Sequence, residues 1–383
     1  MKEYFAVLTS RAAEIICETF VVDPQRKIIS CLGEFSVSKD DGLRALRGRM
    51  AFLFYPRRYS VLIGAGSKEA MTMYGEVPML RDNPKVALED GELDNCVSKA
   101  VWQAFEEGKA RAIRQLSVGD IDLLLRDVRI TSVLVDGKPW VSGEGKGGRK
   151  VIVSFLLTFI LRPFERDCVN ALPRRAAMHF AAETMSAAAH FLSREAGEGN
   201  FLFAAPFEDR TDLVLAMNKH IAHYDSFAWG WGYCVRVLAQ SYKLSSSVAQ
   251  GILARLGAMN ASPRVLRRLA RDVEGELQTL LRGLDHAADR ARVRSILLYA
   301  PRLCGFQKFS KMVACIDKNT LFAGLDIVER DVTRAPRSLE ITRPGEKKIS
   351  FFGLALYAEY QSIPAHPLMN RFARRRMRWL LAG

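Results

Sequence analysis

Two short motifs in this sequence contain residue types that bind cofactors or metals in other proteins. Gly143–Gly148 reads G-x-G-x-x-G, which binds a dinucleotide only where a helix follows it. The apolar run Val151–Leu161 follows instead and predicts a strand, so the glycines are interpreted as a hairpin loop. His220 and His223 lie three apart on a predicted strand and therefore face opposite sides of it. No metal site and no catalytic triad can be assigned from these spacings.

The C-terminal segment has the sharpest pattern. Residues 371–383 contain five arginines and no acid. On a helix, Met369, Ala373 and Met377 share a face with two leucines, and arginines occupy the opposite face. Such a basic amphipathic helix with aromatic anchors is suited to an anionic membrane interface. The predicted membrane-binding residues are Met369, Arg371, Phe372, Arg374, Arg375, Arg376, Met377, Arg378, Trp379, Leu380 and Leu381.

The composition limits the classes of protein that fit. The chain has 383 residues, 49% of them hydrophobic, which is enough for a large core in two or three domains. Its seven cysteines are odd in number and show no CxxC spacing, which argues against a disulfide scaffold and favours a reducing compartment. No secretory signal and no run of eighteen apolar residues is present. The net charge of +14 points to an anionic partner.

Strand and helix patterns suggest two related halves. Strands are predicted at 4–8, 14–22 and 27–37, with a short helix at 41–49. Strands 60–63 and 70–74 are expected to pair, followed by a helix at 89–116 and strands at 120–125, 128–135 and 151–161. A long Ala-rich helix is predicted at 167–195. Strands at 200–205, 211–217 and 220–224 precede helices at 227–242 and 244–292, a strand at 295–299 and a strand-to-helix stretch at 349–360. Two β-meanders, each followed by helices, indicate an internally duplicated α/β protein.

Several stretches resemble the actin/Hsp70/hexokinase-like ATPases, and within them the FtsA and PilM proteins of bacterial cell division and pilus assembly. The matching stretches are Glu92–Asn95 with Val101 and Trp102, Arg129–Gly137, Gly143–Gly148, Val151–Phe159, Phe201–Leu215, Tyr224–Gly230, Val248–Gln250 and Phe352–Ala355. The resemblance implies an α/β, actin-like two-lobe fold (a duplicated β-meander plus helices) with an inserted SHS2-type αβ subdomain and a C-terminal amphipathic helix. It divides the chain into lobe one (1–58, returning at 166–199), the insert (59–165), lobe two (200–361, helical at 244–292) and the linker and tail (362–383).

In such proteins ATP and Mg²⁺ sit between the lobes, held by two hairpins that contain Asp, Gly and Thr. The first hairpin here would offer only Thr9 and Ser10. In the second hairpin, Ala205 and Phe207 replace the family's Asp and Gly, the adenosine turn at 299–302 has lost its glycines, and Gln250 replaces a Glu. The resemblance therefore implies a degenerate pocket with weak or lost ATP hydrolysis, no certain cofactor, and ATP/Mg as ligand only if binding is retained. The weak nucleotide-binding candidates are Thr9, Ser10, Arg210, Thr211, Asp212, Gly230, Gln250 and Arg302.

The expected function is an FtsA-like scaffold that links a tubulin-like division filament or complex to the inner membrane. The resemblance implies self-association and a cytoplasmic, peripheral location on the inner face of the membrane. Three alternatives stay open at this point. An active ATPase of the same fold would turn over ATP, and a PilM-like protein would act in pilus assembly. A nucleic-acid-binding protein could use Arg264, Arg267, Arg268 and Arg271, but interleaved acids favour a solvated, salt-bridged face.

Overall fold

The computed structural model divides the chain into two compact units, 1–188 with 342–383, and 189–341. It describes residues 2–10, 14–23, 25, 28–39, 48, 59–140, 147–172, 177–195, 200–217, 220–257, 262–293, 296–298, 340–341, 349–361 and 373. The predicted helix at 41–49 apart from Gly48, the linker, and the predicted tail apart from Ala373 lie outside these residues. The domain bounds drawn from the resemblance stay predictions.

The first unit begins with the predicted meander. Strands β1 (Glu3–Ser10), β2 (Glu14–Asp23) and β3 (Ile28–Ser38) pair antiparallel in chain order. Strand β4 (Ser60–Ala65) runs parallel to β1. The expected pairing of 60–63 with 70–74 is therefore wrong, because β4 lies inside the first sheet, in which it buries Val61, Leu62 and Ile63.

A second sheet, with a helix on it, is inserted after β4. Strand β5 (Ala70–Leu80) is followed by helix α1 (Asp90–Leu116), β6 (Leu123–Val135), β7 (Lys138–Pro139) and β8 (Lys150–Leu161). The strand order is β5-β8-β6-β7, all antiparallel. Nearly all residues of β8 are buried, so both faces of this strand are covered, which explains its nearly continuous apolar sequence. The two strands predicted at 120–125 and 128–135 form one strand with bulges, preceded by a 3-10 turn at Asp120–Asp122.

The end of the glycine-rich loop, Gly147 and Gly148, packs closely against other segments and leads into strand β8. A Cβ atom added to Gly148 would lie 2.2 Å from a Val135 methyl group, and one added to Gly147 would lie 2.6 Å from the Pro84 carbonyl oxygen. Arg81 ties this corner together, because its guanidinium contacts both Glu92 oxygens at 2.7 Å and donates to the Gly148 carbonyl oxygen. Strand β8 follows the glycines where the dinucleotide interpretation needs a helix. The strands β7 and β8 on either side of this loop both pair with β6 and not with each other. Residues 143–146 lie outside the described residues, so the hairpin-loop interpretation of the whole motif stays a prediction.

The chain then returns to the first sheet in a way that the sequence pattern did not indicate. The long helix predicted at 167–195 is wrong: the segment holds the end of helix α2 (Arg162–Ala171), strand β9 (Ala177–Glu183) and helix α3 (Thr184–Glu195). Strand β9 pairs parallel with β4. Alanine favours helix in isolation, but tertiary pairing overrides that preference at Ala181 and Ala182, which are buried in the sheet.

The second unit repeats the topology of the first sheet. Strands β10 (Asn200–Pro206), β11 (Thr211–Met217) and β12 (His220–Phe227) pair antiparallel, and β13 (Ile296–Leu298) runs parallel to β10. This matches β1 with β2, β3 and β4, as expected of a duplicated protein. The helices are α4 (Gly232–Tyr242), α5 (Ser246–Gly257), α6 (Pro263–Asp272) and α7 (Glu274–Ala291), and a short strand β14 (Glu340–Ile341) follows.

Helix α8 (Phe351–Gln361) packs on the first sheet. Tyr357 contacts the rings of Phe5 and Phe20, with ring centroids 5.0 and 5.5 Å apart. The carboxylate of Glu18, which is buried on β2, accepts the Ser350 backbone N–H at 2.6 Å just before the helix begins. A carboxylate in this position satisfies an otherwise unpaired amide and complements the helix dipole. The strand expected at the start of 349–360 is absent from the described residues.

Candidate functional site

The second candidate phosphate hairpin joins β10 to β11. Its turn is closed by the Phe207 N–H, which donates to the Arg210 carbonyl oxygen at 2.8 Å. Phe207 and Arg210 are half-buried, while Glu208 and Asp209 between them are exposed. The turn therefore presents carbonyl oxygens and bulky side chains where the family places glycine.

The start of helix α4 lies against this hairpin, backbone to backbone. The Trp231 N–H donates to the Phe207 carbonyl oxygen at 2.8 Å, and the Gly232 N–H donates to the Glu208 carbonyl oxygen at 2.9 Å. A Cβ atom on Gly230 would lie 2.3 Å from the Glu208 oxygen. Free N–H groups at a helix start are what bind a phosphate, and here the hairpin's own carbonyl groups have taken two of them.

The polar candidates of this hairpin are also engaged, either with each other or with the segment that leads into α4. The Thr211 hydroxyl, which is fully buried, donates to the Trp229 carbonyl oxygen at 2.8 Å. Arg210 pairs with Asp212, with 2.9 Å between Nε and Oδ1. Trp229 belongs to the apolar core of the second unit, and its indole N–H donates to Glu276 at 3.3 Å. These contacts hold the hairpin closed, so the residues predicted to touch phosphate instead stabilise the hairpin.

The first candidate hairpin differs because its hydroxyl groups are unused. Thr9 and Ser10 end strand β1, beside Gly64 of β4. They are 2% and 4% exposed, and in the part of the chain that the structure describes neither hydroxyl has a hydrogen-bond partner. They lie at the carboxyl ends of parallel strands, where open α/β sheets bind their ligands.

A carboxylate that the sequence pattern did not indicate ends the neighbouring strand. Glu183, the last residue of β9, is fully buried. One of its oxygens accepts the Met185 N–H at 2.9 Å, and the other accepts the Ser186 N–H at 2.6 Å. The next residue, Thr184, donates to the Ala65 carbonyl oxygen of β4 at 2.9 Å. Glu183 thus caps helix α3 at the sheet edge that also carries Ser10. A single helix predicted over 167–195 leaves no helix start at Glu183, so the sequence pattern does not indicate this cap.

The nucleotide candidates are divided between the two compact units. Gln250 is half-buried on α5, and Arg302 lies outside the described residues. Thr9 and Ser10 belong to the first unit, whereas Arg210, Thr211, Asp212, Gly230 and Gln250 belong to the second. Within the described ranges, no three His, Cys, Asp or Glu side chains are grouped as a metal site.

The basic helix α6 exposes Arg264, Arg267, Arg268 and Arg271. The Arg268 guanidinium lies 5.5 Å from the centroid of the Tyr242 ring, and the Tyr242 hydroxyl donates to Asp272 at 2.6 Å. Arg268 therefore contacts its own unit, and the choice between a solvated, salt-bridged face and a nucleic-acid surface stays a prediction.

One residue of the predicted tail is described. Ala373 is helical and 0% exposed, and it belongs to the apolar cluster formed by α1 and the inserted sheet. Among the described helices, none is long and apolar enough to cross a membrane.

No protein-family model matches the chain, and no curated protein matches its sequence. Solved structures do match. A chain of the PilM–PilN type IV pilus biogenesis complex is 14% identical, with 98% of each chain covered and a TM-score of 0.54. The ethanolamine utilization protein EutJ from Carboxydothermus hydrogenoformans is 9% identical over 92% of this chain and 88% of that one, with a TM-score of 0.42. An actin-like ATPase-fold protein of unknown function from Bacteroides thetaiotaomicron is 10% identical over 94% and 96%, with a TM-score of 0.39.

At such low identity the likeness to the pilus complex chain shows the fold alone. That likeness extends over 98% of both chains, so it includes the duplicated sheets and the inserted αβ subdomain of this chain. The chain has the α/β, two-lobe actin-like fold.

Proposed function

We propose that this chain is an assembly scaffold of the actin-like fold that does not turn over ATP and that works at the inner face of the membrane. The closed start of helix α4 carries the proposal, because the N–H groups of Trp231 and Gly232 already donate to hairpin carbonyl oxygens. A phosphate would have to displace both hydrogen bonds, each worth about 1 kcal/mol net. The fold is retained while carbonyl oxygens of the second hairpin occupy two N–H donors at the start of helix α4.

The pilus-assembly role is favoured over the division role by the extent of the structural likeness. The match to the pilus complex chain covers 98% of both chains. That complex contains PilM and PilN, so the proposed partner is a PilN-like component of a pilus-type assembly machine. An FtsA-like scaffold of a tubulin-like division filament is the second candidate, supported by the membrane-binding pattern of the tail. Co-purification with a PilN-like component, and not with a tubulin-like protein, is the expected result. The opposite pattern would favour the division role.

The link to the membrane is assigned to the C-terminal segment. Its five arginines without an acid are each worth about 1 kcal/mol near an anionic surface. We expect the full chain to pellet with anionic liposomes, much less with neutral ones, and less as salt rises. A 1–367 truncation serves as the control, and its thermal unfolding is compared with that of the full chain because it removes the buried Ala373. Equal pelleting of both proteins would contradict the link.

Residual nucleotide binding in the first unit is a further candidate, supported by the unused hydroxyls of Thr9 and Ser10. Replacing Thr9 with valine removes a buried, unsatisfied hydroxyl at nearly constant volume. If no ligand uses it, the free energy of unfolding should rise by about 1 kcal/mol, and thermal unfolding with and without ATP measures this. Stabilisation of the parent protein by ATP that Thr9→Val abolishes would show that the hydroxyl serves a ligand.

A further inference from the structure

Helix α6 carries four arginines on one exposed face, which we call the arginine stripe. They are Arg264, Arg267, Arg268 and Arg271, spaced three and four residues apart so that they share one side of the helix. A guanidinium group keeps its charge at any physiological pH. Leu269, on the opposite side of the helix, is buried in the apolar core of the second unit. The stripe therefore points away from that core.

The stripe is unfavourable for the helix that carries it. Arginines three or four residues apart on a helix repel each other. Arg264 also lies in the first turn of α6, which contains no acidic residue, so it places a cation at the positive end of the helix dipole. An anion bound at this face would relieve both kinds of repulsion. The arrangement therefore fits a surface that an anionic partner covers.

Acidic residues of the same unit do not neutralise the whole stripe. Asp272, at the end of α6, accepts a hydrogen bond from the Tyr242 hydroxyl at 2.6 Å, and the Arg268 guanidinium lies 5.5 Å from the centroid of that tyrosine ring. In the part of the chain that the structure describes, neither Arg264 nor Arg271 forms an ion pair. Both ends of the stripe can therefore meet an external anion.

Two side chains beside the stripe favour a lipid surface as that partner. Val265, three residues before Arg268 and therefore its neighbour on the helix, is 46% exposed. Tyr242 is half-buried next to Arg268. Basic, aromatic and apolar side chains together are typical of surfaces that lie at lipid headgroups, where the charges meet phosphate and the apolar groups reach toward the acyl chains. A nucleic-acid backbone offers phosphates without such an apolar layer.

We infer that the arginine stripe of α6 is a second membrane contact, which binds the phosphate groups of anionic lipids. Guanidinium groups suit this role because their paired N–H donors match phosphate oxygens. The inference rests on the membrane location in the proposed function. It concerns residues of the second unit, however, and does not need the C-terminal segment.

The test compares two double variants of the full chain that lose the same charge. Arg264→Gln with Arg271→Gln removes both ends of the stripe. Arg290→Gln with Arg292→Gln removes two exposed arginines of the same unit, about 24 Å along α7 from the end that follows α6. Co-sedimentation is measured with vesicles of phosphatidylglycerol and phosphatidylcholine, and with vesicles of phosphatidylcholine alone. At about fivefold in affinity for each arginine near an anionic surface, the stripe variant should bind the anionic vesicles about 25-fold more weakly, and the control variant should bind them like the parent protein.

Thermal unfolding and DNA binding show what the loss means. Weaker vesicle binding by the stripe variant, with a thermal midpoint at or above that of the parent protein, supports the inference. A loss that comes with a lower midpoint would mean that the arginines hold the unit together, and it overturns the inference. Unchanged binding by the stripe variant, or an equal loss in both double variants, also overturns it. Binding of duplex DNA that depends on the stripe, with vesicle binding unchanged, overturns it in favour of a nucleic acid.

The 1–367 truncation separates this contact from the one assigned to the C-terminal segment. If truncation abolishes vesicle binding while the stripe variant binds like the parent protein, the link through the C-terminal segment stands and the stripe contact is overturned. If the stripe variant loses binding while the truncated protein keeps it, the stripe contact is supported and the link through the C-terminal segment is removed. No binding of the parent protein to anionic vesicles overturns both.

Discussion

Replacing Arg129 with methionine is expected to lower the free energy of unfolding by about 3–5 kcal/mol. Arg129 lies on β6 with its side chain 7% exposed, and it contacts Asp127 at 2.6 Å and Glu359 of α8 at 2.5 Å. Its guanidinium also lies 4.2 Å from the centroid of the Phe180 ring of β9. Without the arginine, the carboxylates of Asp127 and Glu359 lose the guanidinium that they share in a largely buried site. The inserted subdomain thereby loses this link to α8.

Urea unfolding of the full chain measures this loss. Arg166→Met is the matched control in the same unit, because Arg166 pairs with Asp167 at 3.7 Å while both side chains are more than half exposed. Such surface pairs contribute between zero and about 1 kcal/mol. Equal midpoints for the two variants would refute the view that the Arg129 cluster holds these elements together.

Replacing Gly230 with alanine is expected to destabilise the second unit by about 3 kcal/mol. The added methyl group would lie 2.3 Å from the Glu208 carbonyl oxygen and 2.6 Å from the Asp209 nitrogen. These are backbone atoms that cannot rotate away, so either the hairpin or the start of α4 must move. The hydrogen bonds from Trp231 and Gly232 should be lost with that movement.

Gly251→Ala is the control for this second prediction. Gly251 lies inside α5, is exposed, and has nothing within 4 Å of an added Cβ. Alanine is the better helix former by about 1 kcal/mol, so this variant should be slightly more stable than the parent protein. Thermal unfolding followed by circular dichroism compares the two variants. A Gly230→Ala protein as stable as Gly251→Ala would mean that the hairpin does not close on α4.

The elements that repeat a local pattern could be predicted from the sequence. The alternating strands of both meanders and the 27-residue helix α1 follow from hydrophobic periodicity. Strand β9 could not be predicted in this way, because its alanines favour helix and only its pairing with β4 makes it a strand. The partners of strand β4 could not be predicted either, because parallel pairing joins segments that are far apart in the chain.

The candidate site was predicted in part. The loss of the family's glycines and acids predicts a degenerate pocket. In the structure Arg210 pairs with Asp212 within the hairpin, and Thr211 donates to Trp229 beyond it. The hydrogen bonds that close α4, the Glu183 cap and the Glu18 cap were not indicated. Each depends on tertiary contacts that the sequence pattern does not contain. Glu18 and Ser350 are 332 residues apart in the chain. The N–H groups at the start of α4 are bound by backbone carbonyl groups, which every residue type has.

ATP turnover by the purified full chain with Mg²⁺ tests the central claim most directly. The account predicts no hydrolysis above the buffer rate for the parent protein and the same result for Thr211→Ala, because the Thr211 hydroxyl already donates to the Trp229 carbonyl oxygen. Hydrolysis by the parent protein that Thr211→Ala abolishes would contradict the account and would show an active ATPase.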